Sequence, residues 1–172
     1  MKTKNTILFL SSLLLLLIGS SCEKDKDVKK EELSFSCHIN GEKFAAELSP
    51  NEIGTEPTGQ SLSFTIYDDY FNVESSDSNY FIYIAIINPT IGTFDLNISH
   101  GLFGLSDPNI LNHAIIKFND TLYVSNENSG SVTITNISDT NIEGTFEFTL
   151  YNENNNSDVL TITNGKFVRF YF

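Results

Sequence analysis

Ile142-Glu143-Gly144-Thr145-Phe146-Glu147-Phe148-Thr149-Leu150 alternates with a period of two. Ile142, Phe146, Phe148 and Leu150 share one side of an extended chain, and Glu143, Thr145, Glu147 and Thr149 share the other. Successive side chains of a strand point to opposite faces, so this stretch buries one face and wets the other, as antiparallel sheets allow. The same period runs outward through Leu33, Phe35, Cys37 and Ile39, through Leu62, Phe64 and Ile66, through Phe94, Leu96 and Ile98, and through Val132 and Ile134. Tyr80 to Ile87 is apolar on both sides and reads as a central strand covered twice. Turn clusters separate the runs. Asn40-Gly41 suits a type I′ hairpin, Asn126 to Gly130 and Asn152 to Asp158 are loop signals, and Asn164-Gly165 marks a turn, bulge or bend. From Leu33 on, nothing shows the sustained spacing of an amphipathic helix, and Leu105 to His113 is expected to form at most one short helical turn. The expected fold is all-β, an antiparallel β-sandwich of about ten short strands, with a partly closed meander barrel as the alternative. The apolar final run, Lys166 to Phe172, is expected to be paired inside the sheet, because such an edge in water invites aggregation.

Upstream of this body the chain changes character. Lys2 and Lys4 precede an apolar run from Ile7 to Ile18, interrupted only by Ser11 and Ser12. Twelve helical residues span about 18 Å, short of a roughly 30 Å hydrocarbon core, so the segment reads as a secretory signal peptide over residues 1–21. Leu17-Ile18-Gly19-Ser20-Ser21-Cys22 resembles a bacterial lipobox, in which the cysteine is acylated (with palmitate-type chains) and becomes the mature N-terminus. Gly19-Ser20-Ser21 also fits ordinary signal peptidase, which would leave Cys22 a free thiol. Lipidation of Cys22 is the expected route. Residues 22–32 are almost all charge and cannot bury enough surface to fold, so they read as a tether whose last ten residues reach at most about 35 Å. The Lys-acid alternation after Cys22 resembles the surface-export signal of Bacteroidetes-type lipoproteins; a spacer that stays in the periplasm is the alternative. Residues 33–172 are expected to form a single β-domain.

The 172 residues carry a formal net charge of −12, and from Leu33 on only Lys43, Lys117, Lys166 and Arg169 face 17 acids. A body this acidic excludes nucleic acid as a partner, because phosphate affinity needs clustered Lys and Arg. Two cysteines exclude a disulfide scaffold and a four-cysteine zinc site. Gly130-Ser-Val-Thr-Ile-Thr, then Ile142-Glu-Gly-Thr-Phe-Glu-Phe, then Leu160-Thr-Ile-Thr-Asn-Gly-Lys-Phe167 resembles a family of uncharacterised Bacteroidetes-type outer-membrane lipoproteins. Ile39-Asn-Gly-Glu-Lys-Phe44 is similar to that family's opening motif. The resemblance implies a lipoprotein with a β-domain of unknown function and supplies no active site. The alternative barrel resembles the lipocalin-like architecture, which carries a small apolar ligand in an internal cavity of roughly 300 Å³ or more.

The search for chemistry yields little. There is no nucleophile elbow, and Cys37 lies on the apolar stripe of the first strand while His38 points the other way. Three scattered histidines lack ligand spacing, so no metal and no cofactor are expected. Asn152 to Asp158 lacks the Gly and Glu of a calcium loop. The acidic stretch Asp68, Asp69, Asn72, Glu74 and Asp77 is the better cation candidate, with solvation as its ordinary explanation. Tyr67, Asp68, Asp69, Tyr70, Phe71 and Tyr80 form the weak candidate binding group: aromatic faces beside carboxylates, as sugar sites on β-folds use them. The expectation is a non-enzymatic lipoprotein of the outer membrane, periplasmic or surface-exposed, tied to the bilayer by its acylated N-terminus. Its β-domain would bind a glycan or protein ligand or serve a structural role.

Overall fold

The computed structural model describes residues 31–48, 60–97 and 111–171. The signal segment, Cys22, the tether up to residue 30, His100, the Gly101 to Gly104 loop and most of the segment around Pro108 lie outside the described residues.

Eleven strands are present among the described residues: β1 (Glu31–Ile39), β2 (Glu42–Leu48), β3 (Ser61–Tyr67), β4 (Tyr70–Ser76), β5 (Tyr80–Ile87), β6 (Gly92–Asp95), β7 (His113–Phe118), β8 (Thr121–Val124), β9 (Gly130–Ile137), β10 (Ile142–Asn152) and β11 (Asn155–Tyr171). β1 begins at Glu31, two residues inside the stretch expected to be tether. All pairings are antiparallel, in the order β2-β1-β11-β10-β8-β7-β5-β4-β3. β10 is long enough to take two partners on one edge: β9 pairs with Ile142 to Phe148, and β8 with Tyr151 and Asn152. β6 adds to the far edge of β9.

The strands thus form one sheet that rolls until its two edges, β2 and β3, nearly meet. The barrel-like alternative describes this arrangement better than two facing sheets, because the pairing never breaks between layers. Gln60 Nε2 donates to the Ala45 carbonyl at 3.2 Å across the remaining seam. One end of the barrel carries the β1–β2, β4–β5, β7–β8 and β10–β11 turns, here called the upper end. The lower end carries the β3–β4 and β9–β10 turns, the start of β1 and the finish of β11.

The inward side chains fill the barrel. Phe35 stacks on Phe146 with centroids 5.1 Å apart, Phe71 meets Phe167 at 5.3 Å, and Phe146 meets Phe148 at 5.5 Å. Around them pack Ile39, Ile82, Ile84, Ile86, Leu96, Ile116 and Ile134, all buried. Aromatic clusters of this size dominate core energetics.

Two irregularities make the filling work. Leu160 and Ile162 point inward, and so does Phe167, although an unbroken period of two would place Asn164 and Lys166 there instead. β11 inserts one extra residue opposite both neighbours, and Asn164 takes a positive φ of 53° there, a conformation that Asn tolerates. The Asn164-Gly165 signal is therefore a bulge that resets the strand. The register of β9 against β10 slips in the same manner near Thr135, which lets Ile137 pack on the core after Val132 and Ile134. Asn40-Gly41 forms the expected tight hairpin with both φ values positive, 50° and 89°. As expected, β11 is an interior strand, paired with β1 and β10.

Candidate functional site

The sequence-derived group is split by the fold. Tyr67 and Tyr70 close the β3–β4 hairpin, with Asp68 and Asp69 as its turn. Tyr67 is 64% exposed, unusual for so large a ring. It joins Ile66, Asp68, Pro89, Ile137 and Asp139 around an open depression of about 270 Å³ at the lower end. The turns beside this depression are held in place. Asn88 N donates to the Asp69 carbonyl at 2.9 Å, and on the β9–β10 turn Asn141 N donates to Ser138 Oγ at 3.1 Å. One aromatic face and two carboxylates thus flank an apolar patch.

The other three residues go elsewhere. Phe71 is 0% exposed and belongs to the core, because it shares the inner face of β4 with Val73. It is not a binding residue. Tyr80 lies at the upper end, stacked on Phe118 at 4.6 Å with its edge toward Phe44 at 6.1 Å. One seven-residue strand, about 24 Å long, separates it from Tyr67. Tyr70 points to the outer face of the sheet, where its hydroxyl hydrogen-bonds to that of Tyr83.

That outer face holds a second small core. Tyr83 is 5% exposed, and Ala85 and Ile115 are fully buried beneath Tyr70, Phe81, Leu122 and Val124. β5 is therefore covered on both sides, as its two-sided apolar pattern requires. Asn72 Nδ2 donates to Glu74 Oε1 at 3.2 Å beside the tyrosines, and the His113 ring lies 5.6 Å from that of Tyr83. Burial raises both phenols above their ordinary range; the mutual hydrogen bond raises Tyr70 further, while for Tyr83 it partly opposes the shift. The cluster is not legible in the sequence, because its members come from four strands, β4, β5, β7 and β8, that meet only through pairing.

The upper end offers a larger opening. Between the β4–β5 and β7–β8 turns lies a cleft of about 440 Å³, lined by Asp77, Asn79, Tyr80, Lys117, Asn119 and Asp120 among others. Asp77 Oδ1 accepts from the backbone N–H groups of Asn79 and Tyr80, both at 2.7 Å. Lys117 Nζ lies 2.9 Å from Asp120 Oδ1 and holds that carboxyl below its ordinary value. On the same end, Tyr123 OH donates to Asp158 Oδ2 at 3.0 Å, and Asn152 Nδ2 donates to the same oxygen at 2.8 Å.

The Cys37 thiol is shielded. Cys37 is 1% exposed, and burial pushes its thiol up to about 12. His38 sits on the opposite face of β1, so the two form no dyad. Among the described residues no group of three or more His, Cys, Asp or Glu side chains could hold a metal ion, and no helix is long and apolar enough to cross a membrane. A family model described as a domain of unknown function (DUF6252) matches residues 58–170, well over half of the chain. No curated protein and no solved structure matches the chain.

Proposed function

We propose that this chain, which belongs to the DUF6252 family of domains of unknown function, is a lipid-anchored envelope protein whose β-domain binds its ligand without catalysis. The observation that carries the binding mode is where the space lies. The barrel interior is occupied by Phe35, Phe71, Phe146 and Phe167, whereas open depressions lie outside it at both ends. A carrier of a small apolar ligand needs an internal cavity where those rings stand, so an external contact fits better. Tyr, Asp and Asn side chains on fixed turns suit a glycan or a protein partner. The buried Cys37 thiol and its separation from His38 support the non-catalytic reading.

Anchoring rests on Cys22 behind its apolar segment and on the charged residues that follow. The first strand begins at the lower end, so a tether would join the body there, whether it is periplasmic or at the cell surface. The test is membrane fractionation with intact mass on Cys22. Wild type should sediment with membranes and carry acyl mass, and Cys22→Ser should be released. Wild type without acyl mass would sink the anchor. For binding, the intact protein in detergent is probed with immobilised glycans and purified envelope polymers. Retention of none of them by wild type would sink the module reading.

A further inference from the structure

We propose that the upper-end cleft between the β4–β5 and β7–β8 turns is a binding site for a neutral polyhydroxylated ring, that is, an uncharged sugar residue. This deepens the reading of the domain as a binding module and rests on it. The opening arises from the topology. β5 and β7 are paired up to Tyr80 and Phe118, and beyond that point two tight turns diverge. Its volume of about 440 Å³ lies within the roughly 300 to 1,000 Å³ typical of small-molecule sites, which the lower-end depression of about 270 Å³ does not reach.

The lining decides the chemical class. Its charges are already engaged: Asp120 is paired with Lys117, and Asp77 accepts two backbone N–H groups. A compensated carboxylate is a poor trap for a free cation, yet an ionised carboxylate has about four lone-pair sites and keeps acceptor capacity toward hydroxyls. Asn79 and Asn119 each present an amide that both donates and accepts. Alternating donors and acceptors of this kind match vicinal hydroxyls, whereas a phosphate or carboxylate ligand would meet Asp77 and Asp120. Phe81, on the outer face of β5 and packed against the Tyr83, Ala85 and Ile115 cluster, supplies the aromatic part of the lining, whereas the Tyr80 ring turns inward between Phe118 and Phe44. An aromatic face held in this way suits the C–H face of a sugar ring. Asp77 and the Lys117–Asp120 pair are held before a ligand arrives, which lowers the ordering cost of binding on their side.

The probe is a panel of immobilised neutral saccharides built from glucose, galactose, mannose and N-acetylglucosamine, with the intact protein in detergent. The decisive variant is Asn79→Ala combined with Asn119→Gly. Glycine is chosen at Asn119 because φ there is 47°, a conformation that strains alanine. Asp77 is left in place because it caps its own turn. The expected result is binding of at least one neutral saccharide, weakened about tenfold or more in the double variant with an unchanged melting curve. Neutral saccharide binding lost in Tyr67→Ala but kept in the double variant would move the ligand to the lower end and overturn the site while leaving the module reading intact. Binding of charged saccharides alone, or of envelope polymers without any neutral saccharide, would overturn the ligand class. No retention of any probe would overturn both readings.

Discussion

The guanidinium of Arg169 donates through Nη1 to the main-chain carbonyl of Phe64 at 3.0 Å, joining positions 105 residues apart. Arg169 belongs to the middle of the sheet, paired opposite Leu33 on β1 and Ile142 on β10. Phe64 lies on β3, one of the two edges that approach without backbone pairing. The arginine therefore reaches from an interior strand to a strand bordering the seam.

Arg169→Met keeps most of the volume and removes the donor. A hydrogen bond from a charged group is worth about 1.5–3 kcal/mol when buried, and partial exposure of Arg169 lowers the expected loss to about 1–2 kcal/mol. Urea denaturation should show that loss, and amide exchange should accelerate in β3 more than in β10. Equal exchange in both strands with unchanged stability would show that the contact does not hold the seam.

Gly144 and Gly165 carry a second constraint. Gly144 pairs with Phe167, and Gly165 pairs with Phe146. Each ring lies over the glycine opposite it, so an added Cβ at Gly144 would run into the Phe167 ring and the Thr133 carbonyl, and one at Gly165 into the Phe146 ring and carbonyl. Aromatic cover of a strand glycine is a known sheet device. Gly144→Ala and Gly165→Ala should each cost about 1–3 kcal/mol through overpacking, although alanine has the better strand entropy. A neutral or stabilising alanine at either position would show that the ring can move aside.

Much of this architecture is legible in the sequence. Period-two runs identify the strands, and the two-sided apolar run Tyr80 to Ile87 identifies the strand covered on both faces. The odd spacing from Ile162 to Phe167 contains the bulge, but only pairing with β1 and β10 shows that Asn164 is the residue set aside. The binding group was read as one patch because Tyr67 to Phe71 and Tyr80 are close in sequence. Alternation sends Tyr70 outward and Phe71 inward, and the β4 hairpin carries Tyr80 to the opposite end. Sequence proximity fails here for a physical reason: one strand length separates the two ends of a barrel. The upper-end cleft was harder still, because Asp77 and Asn119 become neighbours only when β5 pairs with β7 past the intervening β6.

Removal of residues 167–172 should abolish soluble expression. The deletion takes away Phe167, which contacts Phe71 and Phe146, and Arg169, which reaches Phe64. It also strips the ladder partners of Glu31 to Phe35 on β1 and of Ile142 to Gly144 on β10. Two interior strands would become open edges lined by buried Phe35 and Ile142. The soluble fraction after lysis measures the outcome, and a truncated chain that stays soluble with a cooperative melt would contradict it.

Alkaline pH should destabilise this protein through its buried thiol and phenols. The Cys37 thiol is pushed by burial from 9.0 to about 12, and burial likewise raises the hydroxyls of Tyr70 and Tyr83. A group that keeps its proton longer in the folded state contributes stability that is complete below its unfolded value. Between about pH 9 and 12 the unfolded chain binds fewer protons than the folded one, so stability falls as pH rises through that window. For Cys37 alone the limiting slope is about 1.4 kcal/mol per pH unit. The melting temperature should hold from pH 7 to 8.5 and then decline. Tyrosinate absorbance from the buried phenols should appear together with unfolding. Cys37→Ala should flatten the decline at the expense of some core packing. Wild-type melting that stays level to pH 11, or a Cys37→Ala curve parallel to wild type, would show that the buried thiol does not govern this limit.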